Sequence, residues 1–270
     1  MNRVARTKEE WRVTRALKGL SPERAPDTLL PAVLRRVGLA DTYWRLESPV
    51  GAVYVAHSRA GISMVTRAAS AADFEATFRR IHGRPVYRES SVPPAAVRAL
   101  IRDLKGKGRP QLRFDLRGLS EFERAVLLKA LEIPPGEVRP YSWVAKEIGR
   151  PGAVRATGSA LARNPVPLLI PCHRVIRSDG HIGMYSLGGP RNKRRLLEIE
   201  GAQPERLEKL AASGVRYLGN AERRHYCYPT CGGIETLVVS NKVPFRSERE
   251  AAVAGYRPCE DCRPPLAQAS

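Results

Sequence analysis

Asn164-Pro165-Val166-Pro167-Leu168-Leu169-Ile170-Pro171-Cys172-His173-Arg174-Val175 is the stretch that decides how this 270-residue chain is read. An Asn-Pro pair opens it, an apolar run follows, and the run ends on a thiol with an imidazole beside it. A cysteine behind apolar residues is normally inert, because burial raises its pKa and only the thiolate attacks. A neighbouring base that removes the proton converts such a thiol into a nucleophile. Upstream of it the pattern is helical and the whole chain is basic, so the thiol points to chemistry on a nucleic acid.

The helical pattern becomes specific on moving outward. Ser120-Glu121-Phe122-Glu123 is a capping box, predicting a helix over Phe122 to Leu131 that Pro134-Pro135-Gly136 ends. Ser142 is expected to cap a short helix from Trp143 to Ile148, closed by Gly149. Pro151 is expected to open a longer one reaching about Arg163. Two helices joined by a glycine-containing turn form a helix-turn-helix, with the second helix as reader. Further upstream, Tyr43 to Leu46, Val53 to His57 and Gly61 to Thr66 alternate like strands, and a helix from Ser70 runs to Gly83. A helix over Pro93 to Leu104 completes a small α/β unit. Residues 1–39 are basic and helical in pattern, through Lys8 to Leu20 and Pro31 to Val37, and carry no functional assignment.

Lys and Arg outnumber Asp and Glu by 46 to 27, a net charge of +19, which favours a polyanionic partner. Apolar runs fall short of a membrane span, and the first twenty residues lack the apolar core of a signal peptide, so no membrane association and a cytoplasmic location are expected. In a reducing compartment clustered cysteines suggest metal rather than disulfides. Cys172 stands alone, whereas Cys227, Cys231, Cys259 and Cys262 form C-x3-C and C-x2-C pairs flanking a helical stretch from Ser247 to Ala254. Four thiolates at that spacing build a closed, tetrahedral, structural zinc (Zn2+) site. In about fifty residues with little core, the metal would supply much of the folding energy. Chelation is therefore expected to unfold that module and spare the centre of the chain.

Tyr141, Arg155-Ala156-Thr157-Gly158, Asn164-Pro165, the Pro171 to Val175 motif, Tyr185-Ser186 and Glu200-Gly201 occur in the order and spacing of one family. On those residues the block from Phe122 to Gly201 resembles the O6-alkylguanine-DNA alkyltransferases, also called methylated-DNA–protein-cysteine methyltransferases. The C-terminal cysteines resemble the zinc module of Ada-type proteins. The resemblance implies a mixed α/β (α+β) fold in four parts. They are a helical basic extension over 1–39, a ribonuclease-H-like scaffold over 40–118, a winged, helix-turn-helix catalytic domain over 119–203 and a zinc module over 215–265. It also implies a monomer that binds double-stranded DNA containing O6-alkylguanine, needs no organic cofactor and is consumed in one turnover.

The same resemblance assigns roles. Cys172 would accept the alkyl group, with His173 acting through a water and Glu200 orienting the imidazole. Tyr141 would hydrogen-bond the flipped guanine and supply a proton to its ring nitrogen. Arg155 would fill the gap left by the flipped base, although an ordinary phosphate contact explains the same letter. Gly158 would let the reading helix approach the backbone. Asn164 would tie that helix to the active-site loop, with a helix C-cap as the plainer reading. Tyr185 and Ser186 would wall the pocket, Ser186 donating to O6, and Val175 would offer its carbonyl to the exocyclic amine. The family has valine where Thr157 stands, an exchange expected to be neutral. His181 is expected at the surface.

Two other readings compete. One is a non-catalytic lesion binder, against which Cys172 itself argues. The other is a methylation-responsive regulator, with the zinc module as a second DNA contact or as a phosphotriester-repair site through Cys227. Tyr228 replaces the arginine that normally follows that cysteine, which argues for a structural ion.

Overall fold

A computed structural model describes Arg12 and residues 26–91 and 112–267. The helices expected over Lys8 to Leu20 and Pro93 to Leu104 lie outside the described residues. After helix α1 (Leu29–Arg36), strands β1 (Asp41–Leu46), β2 (Val53–Ser58) and β3 (Gly61–Thr66) run antiparallel. Helix α2 (Ala71–His82) then returns the chain to β4 (Val86–Arg88), which pairs parallel with β1. The sheet order is β3-β2-β1-β4. Ser70 caps α2 by accepting the Asp73 N–H, and Gly83 ends it in the left-handed region with φ +66°, where a side chain would be strained.

The two-residue period of β2 explains how this sheet joins the rest. Tyr54 and Ala56 face α2, packing with Tyr43, Met64, Phe74 and Phe78. Val53 and Val55 face the other way, into a core shared with the helical half of the chain. The backbone joins there too, since the Val65 N–H donates to the Pro165 carbonyl at 2.8 Å.

The capping box at Ser120 and Glu123 opens α3 (Glu121–Leu131) as the sequence requires. The pair α4 (Tyr141–Glu147) and α5 (Val154–Ala162) packs on it. Both helix starts differ from the sequence reading. Pro140 is the N-cap of α4, which places Ser142 in the first turn rather than at the cap. Pro151 and Gly152 form a turn stabilised by Arg150 N–H to Ala145 and Ala153 N–H to Arg150, so α5 starts three residues late. Between α3 and α4, β5 (Arg139–Pro140) pairs parallel with β6 (Val175–Ile176). That short ladder sets Tyr141 beside the turn that carries Cys172.

Helices α6 (Gly189–Ile199) and α7 (Pro204–Ala212) lead into a second sheet, of order β10-β8-β7-β9. It comprises β7 (Tyr217–Asn220), β8 (His225–Cys227), β9 (Lys242–Phe245) and β10 (Arg257–Pro258), with helices α8 (Gly232–Glu235) and α9 (Glu248–Val253). This unit does not stand apart. Tyr217, Tyr226, Tyr228 and the four clustered cysteines belong to the same contiguous core as Trp143, Val144 and Cys172. No helix among the described residues is long and apolar enough to cross a membrane.

Candidate active site and metal centre

Cys172 opens a single 3-10 turn, Cys172–Arg174, between the apolar run and β6. Its side chain lies at the floor of a cleft of about 880 Å³ lined by Tyr141, Arg155, Gly158, Met184, Tyr185 and Ser186 among others. The volume lies in the range of small-ligand sites. Tyr141 stands on one wall at the start of α4, and a Cβ on Gly158 of α5 would meet the Tyr141 ring at 3.9 Å. Arg155 projects, exposed, from the first turn of α5, and Ser186 is exposed at the opposite wall.

Asn164 follows α5 and does more than end a helix. Its Nδ2 donates to the Ile170 carbonyl at 2.9 Å and to the Cys172 Sγ at 3.2 Å, while its Oδ1 accepts the Val166 N–H at 3.0 Å. The apolar run is thereby folded back on itself, with Leu168 held at φ 72°. A left-handed backbone at a side-chain-bearing residue costs about 1–2 kcal/mol, which the surrounding bonds and packing must offset.

Burial pushes the Cys172 thiol up, against the opposing pull of the Asn164 amide and the nearby Lys193 ammonium. The thiol therefore rests protonated and needs a base. Burial pushes His173 down, opposed by Glu200, so the imidazole is neutral near neutrality. Burial also works to raise the Glu200 carboxyl, but hydrogen bonds from His173 and Arg174 outweigh it and hold the group at about 2. An ionised Glu200 only accepts, so His173 Nε2 carries the ring proton and donates to Oε1 at 2.9 Å. Nδ1 is left as the basic atom, buried and without a partner among the described residues. Gly136, in the Pro-Pro-Gly turn after α3, backs this arrangement. Its φ is +80°, and a Cβ there would sit 2.9 Å from the Glu200 carbonyl oxygen.

Two buried charges escaped the sequence reading. Arg174 donates to both Glu200 oxygens at 2.8 and 2.6 Å and to the Ile133 carbonyl at 2.6 Å. Lys193 is fully buried in α6 and donates to the Val175 carbonyl at 2.6 Å and to the Met184 carbonyl at 3.3 Å. Burial lowers it to about 8, with the Cys172 thiol pulling the other way. Lys193 shares a helical face with Leu196 and Leu197, at i+3 and i+4. That spacing was the available signal. His181 is part-exposed and hydrogen-bonded, its Nδ1 2.5 Å from a carboxylate oxygen of Glu208 on α7.

Thr157 departs from the neutral exchange expected of it. Its side chain is fully buried, and its hydroxyl has no partner among the described residues.

The four clustered cysteines come from four places: the end of β8, the N-cap of α8, the residue after β10 and the turn beyond it. All are buried, and their Sγ atoms lie within 4.8 Å of one another. A tetrahedron of Zn–S bonds near 2.3 Å needs sulfurs about 3.8 Å apart, so the set fits zinc. An all-thiolate, closed donor set is that of a structural ion. Cys227 is 0% exposed.

A recessed thiol beneath a two-helix unit, with a zinc module packed alongside, outlines a DNA-modifying protein. Comparison with known proteins agrees. Residues 121–202 match the model of the 6-O-methylguanine DNA methyltransferase, DNA binding domain. Residues 208–265 match that of the metal binding domain of Ada. A methylated-DNA–protein-cysteine methyltransferase of Methanothermobacter thermautotrophicus is 42% identical over 131 residues, which cover 46% of this chain and 73% of that protein. The namesake from Rattus norvegicus is 48% identical over 98 residues, 36% of this chain and 47% of its own length. The chain thus spans about half of the rat protein. Among solved structures, the Mycobacterium tuberculosis O6-methylguanine methyltransferase shares 32% identity over 59% of this chain and 92% of its own, with a TM-score of 0.49. The chain belongs to the methylated-DNA–protein-cysteine methyltransferase family. Its C-terminal part is an Ada-type metal-binding domain holding structural zinc through Cys227, Cys231, Cys259 and Cys262.

Proposed function

We propose that this chain repairs O6-alkylguanine in double-stranded DNA by moving the alkyl group onto Cys172, once per molecule. The observation that carries the reading is a protonated, recessed thiol at the floor of the cleft, in a turn shared with a neutral His173 whose basic Nδ1 has no partner among the described residues.

The lesion rotates out of the helix into the cleft, and Arg155 on α5 takes its place in the stack. Tyr185 and Ser186 close the far wall, with Ser186 donating to O6. The Val175 carbonyl accepts from the exocyclic amine with the lone pair that Lys193 leaves free. His173 Nδ1 takes the Cys172 proton through a bridging water, and Glu200 and Arg174 hold the imidazole while it carries charge. The thiolate attacks the alkyl carbon, so an S–C bond forms as the C–O6 bond breaks and its electrons pass to guanine. Burial, and then the Cys172 thiolate, push the Tyr141 hydroxyl up, so it is protonated at neutral pH and supplies a proton to the departing base. Asn164 and Gly158 fix the reading helix against this machinery. No organic cofactor takes part, and the thiolate of a neutral thioether is a poor leaving group from the alkyl carbon, so the transfer is not reversed. The zinc ion holds the C-terminal fold when bound and supplies no step of the transfer.

The parallel β1–β4 pair after a three-stranded meander supports a ribonuclease-H-like scaffold, and α4 with α5 supports a helix-turn-helix reader. A monomer in the cytoplasm completes the proposal. Burial of Cys227 argues against methyl acceptance at that sulfur.

Incubation with duplex DNA containing O6-methylguanine should add the mass of one methyl group to the peptide bearing Cys172. Cys172→Ala should retain duplex binding and gain no mass. Transfer to that variant would sink the assignment.

A further inference from the structure

The transfer site is gripped at two places by the C-terminal segment that follows it, and the gripping residues, Thr230 and Glu208, both lie outside the matched DNA-binding domain of residues 121–202. The first is the strand leading into Tyr141. The Thr230 hydroxyl, one residue before a zinc-ligating cysteine, accepts the Val138 N–H at 2.8 Å across 92 residues of sequence. Glu137 accepts the Gly232 N–H at 3.1 Å. Arg139, 3% exposed, lies with its guanidinium carbon 5.7 Å from the Trp143 ring and 5.5 Å from the Tyr228 ring, one aromatic from each side of the junction. On the same face Arg263 reaches Glu147 at 2.9 Å. The second place is the loop that becomes the far wall of the cleft. Glu208 of α7 accepts the Ile182 N–H at 3.1 Å and pairs with His181, and Gly180 packs so closely on α7 that a Cβ would lie 3.2 Å from Ala211.

We infer that Thr230 and Glu208 are positioning residues for alkyl transfer. They act through Val138 and Ile182 on the two walls of the cleft, so the zinc-held fold serves as a buttress of the O6 site. A zinc module that merely followed the catalytic domain would need no buried guanidinium between its ring and a core tryptophan, and no side-chain acceptor for an amide of the strand before Tyr141. A displacement of about 1 Å at a catalytic group can cost orders of magnitude in rate, so a wall released from its anchor loses transfer before it loses binding. The kinetic arm of this inference rests on the proposed chemistry at Cys172; the structural arm does not.

The test uses the full zinc-loaded chain and compares Thr230→Val with Thr230→Ser, and Glu208→Ala with Glu208→Gln. Zinc content, duplex affinity, single-turnover transfer at saturating O6-methylguanine duplex and hydrogen exchange at the Val138 and Ile182 amides are measured on each. Thr230→Val is expected to expose the Val138 amide to exchange and slow transfer about tenfold, with zinc content kept and duplex affinity within about twofold. Thr230→Ser, which keeps the acceptor, restores both. Glu208→Ala does the same to Ile182 and its wall, and Glu208→Gln, which keeps an acceptor oxygen, recovers most of the loss. Transfer at the unsubstituted rate in both Thr230→Val and Glu208→Ala would overturn the inference, as would equal slowing by Thr230→Ser and Thr230→Val. If Thr230→Val loses zinc or fails to fold, the Glu208 pair decides alone. Absence of transfer in the unsubstituted chain would instead remove the proposed function, and the exchange data would still judge the buttress.

Discussion

Thr157 occupies the inner face of α5, where its hydroxyl is sealed from water with no acceptor among the described residues. A buried polar group left unpaired costs about 1–3 kcal/mol, and valine has nearly the same shape without that cost. Thr157→Val should therefore raise the unfolding free energy by about 1 kcal/mol, read as a higher urea midpoint at unchanged slope. A midpoint that stays put or falls would mean the hydroxyl finds a partner in solution. Glu200 offers a second test at this scale. Its folded pKa of about 2 lies below the ordinary 4.5, so the unfolded chain binds its proton first as pH falls. The stability it contributes is complete above 4.5 and is lost as pH drops toward 2. Glu200→Gln should flatten that part of the acid-unfolding profile. At neutral pH it should cost about 3 kcal/mol, because Arg174 keeps a buried charge without its carboxylate. An unchanged acid limb would place the titrating group elsewhere. Residue by residue, the sequence was legible where chemistry needs rare types at fixed spacing, as at Cys172, His173 and the four zinc cysteines. Arg174 and Lys193 were hidden because a buried cation reads in one dimension like a solvated one.

On α5, Arg155 is exposed while Thr157, Ala160 and Leu161 are buried, so one face packs and the other faces outward at the cleft mouth. Arg155→Ala should slow repair of duplex DNA far more than repair of O6-methylguanine as a free base, by about tenfold or more, since only a duplex has a gap to fill. Equal slowing on both substrates would make the arginine part of the chemistry. The longer elements were foreseeable: α2 and α3 carry caps and apolar spacing, and β1 to β3 alternate. The starts of α4 and α5 were misread because Ser142 and Pro151 are good starters that local turn bonds overrule. The C-terminal sheet went unseen because its strands span two to four residues, too few for alternation to register.

At the scale of the whole molecule, the sequence suggested separable modules, and the structure joins them through one core. Chelation should accordingly disturb more than the last fifty residues. The three tryptophans, Trp11, Trp44 and Trp143, all precede α7, and Trp143 touches Arg263 of the zinc module. Removing the ion should therefore shift tryptophan emission to the red and lower the melting temperature of the entire chain as one transition. Emission unmoved by metal loss would restore the picture of independent units. What the sequence could not disclose was this joint, since contacts such as Val138 with Thr230 bridge ninety-two positions and leave no local trace.

The merged core also changes what a cell must provide. If Cys172 reacts once, as proposed, each lesion removed consumes one fresh polypeptide, and each polypeptide reaches its working shape around one ion. The demand for zinc then follows the number of damaged bases, as ammunition rather than as a catalyst's fixed complement. Metal scarcity would limit how much damage is met without altering how fast any finished molecule reacts.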